Sequence, residues 1–244
     1  MGALSGAADR WSGMVALGSG IVVYVGPGAT ADLHRHDAIQ IVWSPDRPVR
    51  VGTAHGSALT RAAIVPSREL HDLESDGALV GIVLIEPSGP LGQRLDGFAR
   101  QQSDLAHLAP TDFALPTTVD ATVIVGWGRS LAMSLIGDAS SAGADDVRVE
   151  LRDATRFIDD HLDRAPRLTD TAGHVRLSPR QLRRSFVDEI GIPFRRYVLW
   201  RRLRSVLLAV RDGADLTTAA AGAGFADSAH FSRTFRQTFG LTPS

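Results

Sequence analysis

Arg180, Arg183 and Arg184 share the polar side of a helix whose other side carries Leu182, Phe186 and Ile190 at i, i+4, i+8. Further along, Ser228, Ala229, His230 and Arg233 take the same place opposite Phe231, Phe235 and Phe239. A guanidinium fork is shaped to read guanine from the major groove, and it also binds phosphate. The chemistry expected of these two faces is recognition of double-stranded DNA. No catalytic residue is assigned to them. An arginine-rich helix face is also what an ordinary solvated helix shows, so the weight rests on the repetition of the pattern.

Two elements must present those side chains. At one offset of 49 residues Ala172 matches Ala221, Ser178 matches Asp227, Leu182 matches Phe231, Arg184 matches Arg233 and Phe186 matches Phe235. A repeat at fixed offset implies one supersecondary unit used twice. Ser178 and Asp227 are good N-caps, and Pro179 follows Ser178 at the first helical position. The spacing predicts helices from Pro179 to about Glu189 and from Ser228 to about Phe239, stopped by Gly191 and Gly240. Each copy reads as helix, turn, cap, second helix, which is helix-turn-helix organisation. Between the copies, Leu199, Leu203, Val206, Leu207 and Val210 predict an amphipathic helix from Arg195 to about Val210. Arg195, Arg196, Arg201, Arg202 and Arg204 decorate it, some as phosphate contacts and others as solvated charge.

These residues resemble the DNA-binding domain of the AraC/XylS family of transcription regulators, from about Val149 to Ser244, most specifically over Ala220–Ser244. The resemblance implies seven helices in two subdomains joined by the long helix, with both recognition helices entering successive major grooves. It places base reading on Arg180, Arg183 and Arg184 and on Ser228, Ala229, His230 and Arg233. It also implies RNA polymerase as a partner. One departure is Gly173, which weakens the first helix of the first unit by about 1 kcal/mol relative to alanine. The sequence stops at Ser244, so no further C-terminal extension is expected.

Charge is divided along the chain. Residues 150–244 hold 16 Arg and 11 acidic residues, against 10 Arg and 16 acidic residues before them. A basic half joined to an acidic half fits a DNA-facing domain carrying a second domain. There is no lysine and no cysteine, so neither disulfide nor thiol chemistry is available. No run of eighteen apolar residues suggests a membrane span, and no basic-then-apolar leader opens the sequence. A soluble cytoplasmic protein is expected.

The N-terminal half follows another grammar. Ile21–Val25, Ala38–Trp43, Val49–Val51, Ala62–Val65 and Leu79–Ile85 are short β-branched runs separated by turn residues such as Gly26-Pro27-Gly28, Ser44-Pro45-Asp46 and Asp76-Gly77. Such punctuation suggests a β-barrel or jelly roll over about residues 15–90. Gly28-x5-His34-x-His36-x3-Gln40 resembles the first motif of the cupin family, with Gln40 where glutamate is usual. Pro66-x4-His71 resembles the second, with Arg68 where glycine is usual. The resemblance puts His34, His36, Gln40 and His71 on the family's four metal positions. Three imidazoles and one amide oxygen could hold a divalent ion such as Zn, Ni, Co, Mn or Fe. A metal-free pocket for an organic effector, with no other cofactor, is the alternative. His55 is read as a turn histidine, with a fifth polar group lining the cavity as the alternative.

After Pro90 the pattern turns helical, over Leu91 to about Leu108 and Thr117 to about Gly137. Val119, Val123, Ile124, Trp127, Leu131 and Leu135 form a stripe that would pack on the barrel or on a second chain, and the AraC/XylS resemblance favours a homodimer. Ser140–Ala144 is a small-residue linker. The expected organisation is α+β: a cupin-like sensor and dimerisation domain over residues 1–140, then an all-α double helix-turn-helix domain over 145–244. The reading is a sequence-specific transcription regulator, not an enzyme, that responds to a small-molecule or metal effector. The rival is a cupin-type metalloenzyme fused to a DNA-binding module. Near the histidines stand only Asp32, Asp37 and Asp72, in no recognisable acid–base arrangement.

Overall fold

The computed structural model describes residues 11–18, 20–87, 90–101, 113–136, 148–190 and 192–240. Two compact units divide the chain: the first holds residues 1–142 and 237–241, the second 143–236 and 242–244. The linker read at Ser140–Ala144, the helical residues expected after Gln101 and the helix stop Gly191 lie outside the described residues.

Among the described residues the first unit contains nine strands: β1 (Met14–Gly18), β2 (Ile21–Pro27), β3 (Thr30–His34), β4 (Ile39–Trp43), β5 (Val49–Thr53), β6 (Gly56–Thr60), β7 (Ala62–Val65), β8 (His71–Glu74) and β9 (Leu79–Ile85). They form two antiparallel sheets, ordered β1-β2-β9-β4-β7 and β3-β8-β5-β6. The barrel expected from the strand spacing is therefore not closed. At the β6–β7 corner, where the chain passes from one sheet to the other, the Thr60 hydroxyl donates to Ala62 O and accepts from Ala62 N–H at 2.5 and 3.1 Å. A side chain there satisfies backbone groups that closure would give to a neighbouring strand.

Alternation gives the five-stranded sheet two buried faces. Val42, Ala63, Val65 and Val80 pack with Ala31, Val49, Val51 and Leu73 of the four-stranded sheet. Ile21, Val23, Ile39, Ile41, Ile64 and Val83 face α1 (Pro90–Gln101) and α2 (Ala121–Ile136) through Leu95, Ile124 and Leu131. Asp120 ends an extended run and caps α2, its carboxylate accepting from Thr122 N–H at 2.8 Å. The expected apolar stripe divides accordingly. Ile124 and Leu131 are buried and Trp127 and Leu135 pack beside them, but Val119, before the cap, and Val123, in the first turn, stay 84% and 51% exposed.

The described residues from Arg148 on are helical: α3 (Val149–Asp160), a 3₁₀ turn (Leu162–Arg164), α4 (Leu168–His174), α5 (Pro179–Ser185), a π turn (Phe186–Ile190), α6 (Phe194–Arg211), α7 (Leu216–Gly222) and α8 (Ser228–Phe239). The single helix expected from Pro179 to Glu189 thus loosens after Ser185 into a wider turn. That turn still buries Phe186 and Ile190. Leu151, Ile158, Leu182, Phe186, Tyr197 and Val198 share one core. Arg201 on α6 clasps Asp159 on α3 through two hydrogen bonds of 2.7 and 2.5 Å, and Arg202 donates to Leu162 O. Both side chains, expected as solvated or phosphate-contacting charge, instead tie the long helix to its neighbours.

Candidate functional site

β3 carries one residue more than its partner. Ala31 pairs with Leu73 and His34 with His71, so three steps on β3 face two on β8. A one-residue bulge reverses the inward–outward alternation. Leu33 is therefore turned out, 60% exposed, while His34 joins His71 inside. His36 follows in the connection to β4, and Gln40 stands on β4 between Val65 of β7 and Leu84 of β9. The structure thus brings together all four residues that the cupin resemblance singled out. One ring nitrogen from each of His34, His36 and His71 lies within 4.8 Å of the others, and all three rings are buried.

Backbone carbonyls orient the rings. His34 Nδ1 lies 2.7 Å from Asp32 O, His36 Nδ1 2.9 Å from Ala38 O, and His71 Nδ1 2.9 Å from Glu69 O. A carbonyl can only accept, so each Nδ1 carries a proton and each neutral ring keeps its lone pair on Nε2. His71 Nε2 is buried with no hydrogen-bond partner. Burial holds the rings neutral. His34 is pushed down to about 4 by desolvation, helped by His36, and His71 to about 2 by desolvation and then by His36 and His34. His36 is lowered by desolvation, against its bond to Gln40.

Gln40 sets a conflict. Its Oε1 lies 3.0 Å from His36 Nε2, and with Nδ1 committed to Ala38 both facing atoms are acceptors. Either the amide turns over and donates, or a positive charge stands between them. An acceptor-only nest of three imidazoles with one orphaned lone pair fits a divalent cation of nitrogen preference, and the carbonyls that hold each Nδ1 are of the kind that orient metal-bound histidines. The orienting carbonyls leave no mark in the sequence, because every residue has one.

The loop before His71 is held from two sides. Arg68 N–H donates to His36 O at 2.8 Å. Ser67 N–H donates to Asp96 of α1 at 2.8 Å, and Arg100 of α1 donates to Ser67 O at 2.8 Å. Arg68 has φ 67°, the left-handed backbone that explains why glycine is usual at this position. His55 lies on the β5–β6 turn, outside the cluster, 3.9 Å from Glu69. Asp72 pairs with Arg50 at 2.9 Å.

In the helical unit, Arg180, Arg183 and Arg184 are exposed on α5, and Ala229, His230 and Arg233 on α8, with Ser228 half-buried. Arg184 pairs with Asp188 at 2.9 Å, one turn on. Ser178 and Gln181 form a complete capping box at the start of α5. Asp227 caps α8 by accepting from His230 N–H at 2.5 Å.

The turns before these caps correct the single offset. Leu177 N–H donates to Ala172 O and Arg176 N–H to Gly173 O, while Phe225 N–H donates to Ala220 O and Gly224 N–H to Ala221 O. Arg176 and Gly224 take left-handed φ of 56° and 79°. Both are the same Schellman helix end, and they correspond at an offset of 48. Ala172 is therefore equivalent to the buried Ala220, not to the exposed Ala221. The second unit has one extra residue, Ala226, between turn and cap. An ungapped comparison hides this, because adjacent alanines satisfy either alignment.

Residues 171–244 match a family described as helix-turn-helix domain. The chain is 40% identical over 80 residues to the transcriptional activator RhrA of Rhizobium meliloti, covering 32% of this chain and 25% of that protein. It thus spans about a quarter to a third of the curated relatives it matches. An apo form of a ToxT variant from Vibrio cholerae shares the fold with TM-score 0.56 and 16% identity, over 93% of this chain and 96% of that one. A ToxT structure with bound unsaturated fatty acid, from the same organism, gives TM-score 0.50 and 17% identity, over 96% and 95%. No helix among the described residues is long and apolar enough to cross a membrane.

Proposed function

We propose that this chain, whose C-terminal segment is an AraC-type helix-turn-helix domain, is a sequence-specific DNA-binding transcription regulator whose N-terminal domain senses an effector at His34, His36, Gln40 and His71. Arg180, Arg183 and Arg184 on α5 and Ser228, Ala229, His230 and Arg233 on α8 read or hold double-stranded DNA. RNA polymerase and a second copy of the chain are its further partners.

One observation carries the effector reading. One ring nitrogen from each of three neutral histidines converges in a buried nest, and the Nε2 of His71 is unpartnered. A cation is held there and a carboxylate is repelled. This favours a divalent transition metal over an anionic organic ligand at this cluster, even though a structural neighbour carries a fatty acid. When bound, such an ion supplies positive charge that resolves the Gln40–His36 conflict. The protein's part is to present the three rings in one tautomer and to exclude water.

The test is titration of purified, chelator-treated protein with Zn²⁺, Ni²⁺, Co²⁺, Mn²⁺ and Fe²⁺, alongside genome-wide mapping of binding sites. Binding of at least one ion, lost in His34→Ala and His71→Ala, together with discrete genomic sites, is expected. No ion bound, or mutants that bind as well as the original, overturns the metal reading. Mapping without discrete sites overturns the regulator reading.

A further inference from the structure

The extra residue of the second unit has a specific use. Ala226 N–H donates to Nδ1 of His230 at 3.4 Å. The Phe225 ring stands edge-on to the imidazole, with centroids 5.4 Å apart and planes at 76°. Asp227 meanwhile anchors the His230 amide. A ring nitrogen that accepts a hydrogen bond bears no proton, so the neutral ring carries its proton on Nε2. His230 is exposed, and its Nε2 is the ring nitrogen left over for a partner outside the chain. The corresponding place in the first unit is Gln181, whose oxygen is spent accepting from Ser178 N–H at 2.9 Å. The imidazole therefore does two things at once: one edge closes the cap, and the other carries the proton.

We propose that His230 is a tautomer-fixed donor that selects an acceptor-edged purine in the major groove, through N7 of either purine or O6 of guanine. This rests on the reading of residues 171–244 as a DNA reader. The sign of the hydrogen bond carries the selectivity. Cytosine N4 and adenine N6 are donors there, and a second donor facing them stays unpaired. Thymine offers O4 only beside a methyl group that a polar ring edge meets without gain. The two preceding positions cannot supply this discrimination, since the Ser228 hydroxyl both donates and accepts and Ala229 does neither, while Arg233 is also a donor and is told apart by the His230→Ala variant.

The experiment uses the full chain and a duplex site selected with it from random-sequence DNA. Histidine ring ¹⁵N shifts at pH 8, with the His230 signals identified by their loss in His230→Ala, are expected to show protonated Nε2 and unprotonated Nδ1. The opposite tautomer overturns the proposal. Each purine of the site is then replaced by its 7-deaza analogue, and each guanine by 2-aminopurine, which lacks O6. One position in the second half-site is expected to lose about tenfold in affinity with the original protein, ~1.4 kcal/mol, and less than twofold with His230→Ala. Preferences in the first half-site stay unchanged, which shows the variant is folded. Equal losses in both proteins overturn the proposal. Should His230→Ala fold poorly, a wild-type scan with no N7 or O6 dependence in the second half-site overturns it as well. A selection that returns no preferred sequence removes the DNA-reading premise and the proposal with it, whatever the ring shifts show.

Discussion

His34 and His71 stand directly opposite each other across the β3–β8 ladder, with ring centroids 4.2 Å apart. They meet only because β3 carries a bulge between Ala31 and His34. Without it Leu33 would face inward and His34 would point to solvent.

Gln40→Glu is expected to tighten divalent-ion binding by about tenfold or more, ~1.4 kcal/mol, because a carboxylate adds the negative charge that the amide lacks. Competition titration against a chromogenic chelator measures it. Unchanged or weaker binding would show that Gln40 acts only on His36 and never on the ion.

In the metal-free protein the histidines set a pH dependence. Their folded values lie below the ordinary 6.5, at about 4 for His34 and about 2 for His71. The unfolded chain therefore takes up protons first as pH falls. Stability is fully present above 6.5 and declines from there towards pH 4, continuing below for His71. Thermal melts between pH 8 and 4 in the presence of chelator should show this decline. His34→Asn should make the decline between 6.5 and 4 shallower without removing it, since His71 and His36 still contribute there. A melt independent of pH across this range would count against neutral buried rings.

Arg176 and Gly224 occupy the same left-handed helix end. Arg176→Gly is expected to stabilise the helical unit by up to about 1 kcal/mol, since a side chain in this conformation costs about 1–2 kcal/mol and glycine's looser unfolded state returns part of the gain. Gly224→Ala should destabilise by more than that, because a Cβ there would also press on the Leu162 carbonyl oxygen. Chemical denaturation separates the two. Changes of the same sign would refute the equivalence of the turns.

Arg183→Ala and Arg233→Ala are each expected to weaken specific DNA binding by ~1–3 kcal/mol and to relax base preference at different positions. Affinities for the selected site and its single-base variants give the answer. If both mutants keep full affinity and preference, α5 and α8 are not the reading helices.

Much of this was visible in residue types. The Ser178 cap and the Leu182, Phe186 spacing mark α5, and Ser228–Phe239 was legible to the residue. The three histidines announced themselves because imidazole is rare and chemically specific. What stayed hidden depends on backbone geometry. The β3 bulge has no composition of its own, and Arg68 and Arg176 sit where glycine would have signalled a left-handed turn. The extra Ala226 vanished among neighbouring alanines. Val119 and Val123 fit a helical period that Asp120 interrupts by capping the helix between them. Strand spacing revealed β2, β4, β5, β7 and β9, whose runs are rich in β-branched residues, but not the mixed-polarity β1, β3, β6 and β8, nor the β6–β7 corner, where Thr60 takes the place of a neighbouring strand.

The one-residue difference between the two units limits how they can be exchanged. A protein engineer wishing to graft the α8 surface onto α5 would naturally cut at the glycine-like turn, where the two copies look most alike. A graft cut there imports Ala226 and lengthens the link between turn and cap by one residue, which a host built for the shorter link must absorb. Cuts placed at Ser178 and Asp227 keep the host's link but leave the His230 ring without the amide that holds it. α8 is portable only together with the residue in front of its cap, and a host must be lengthened to receive it.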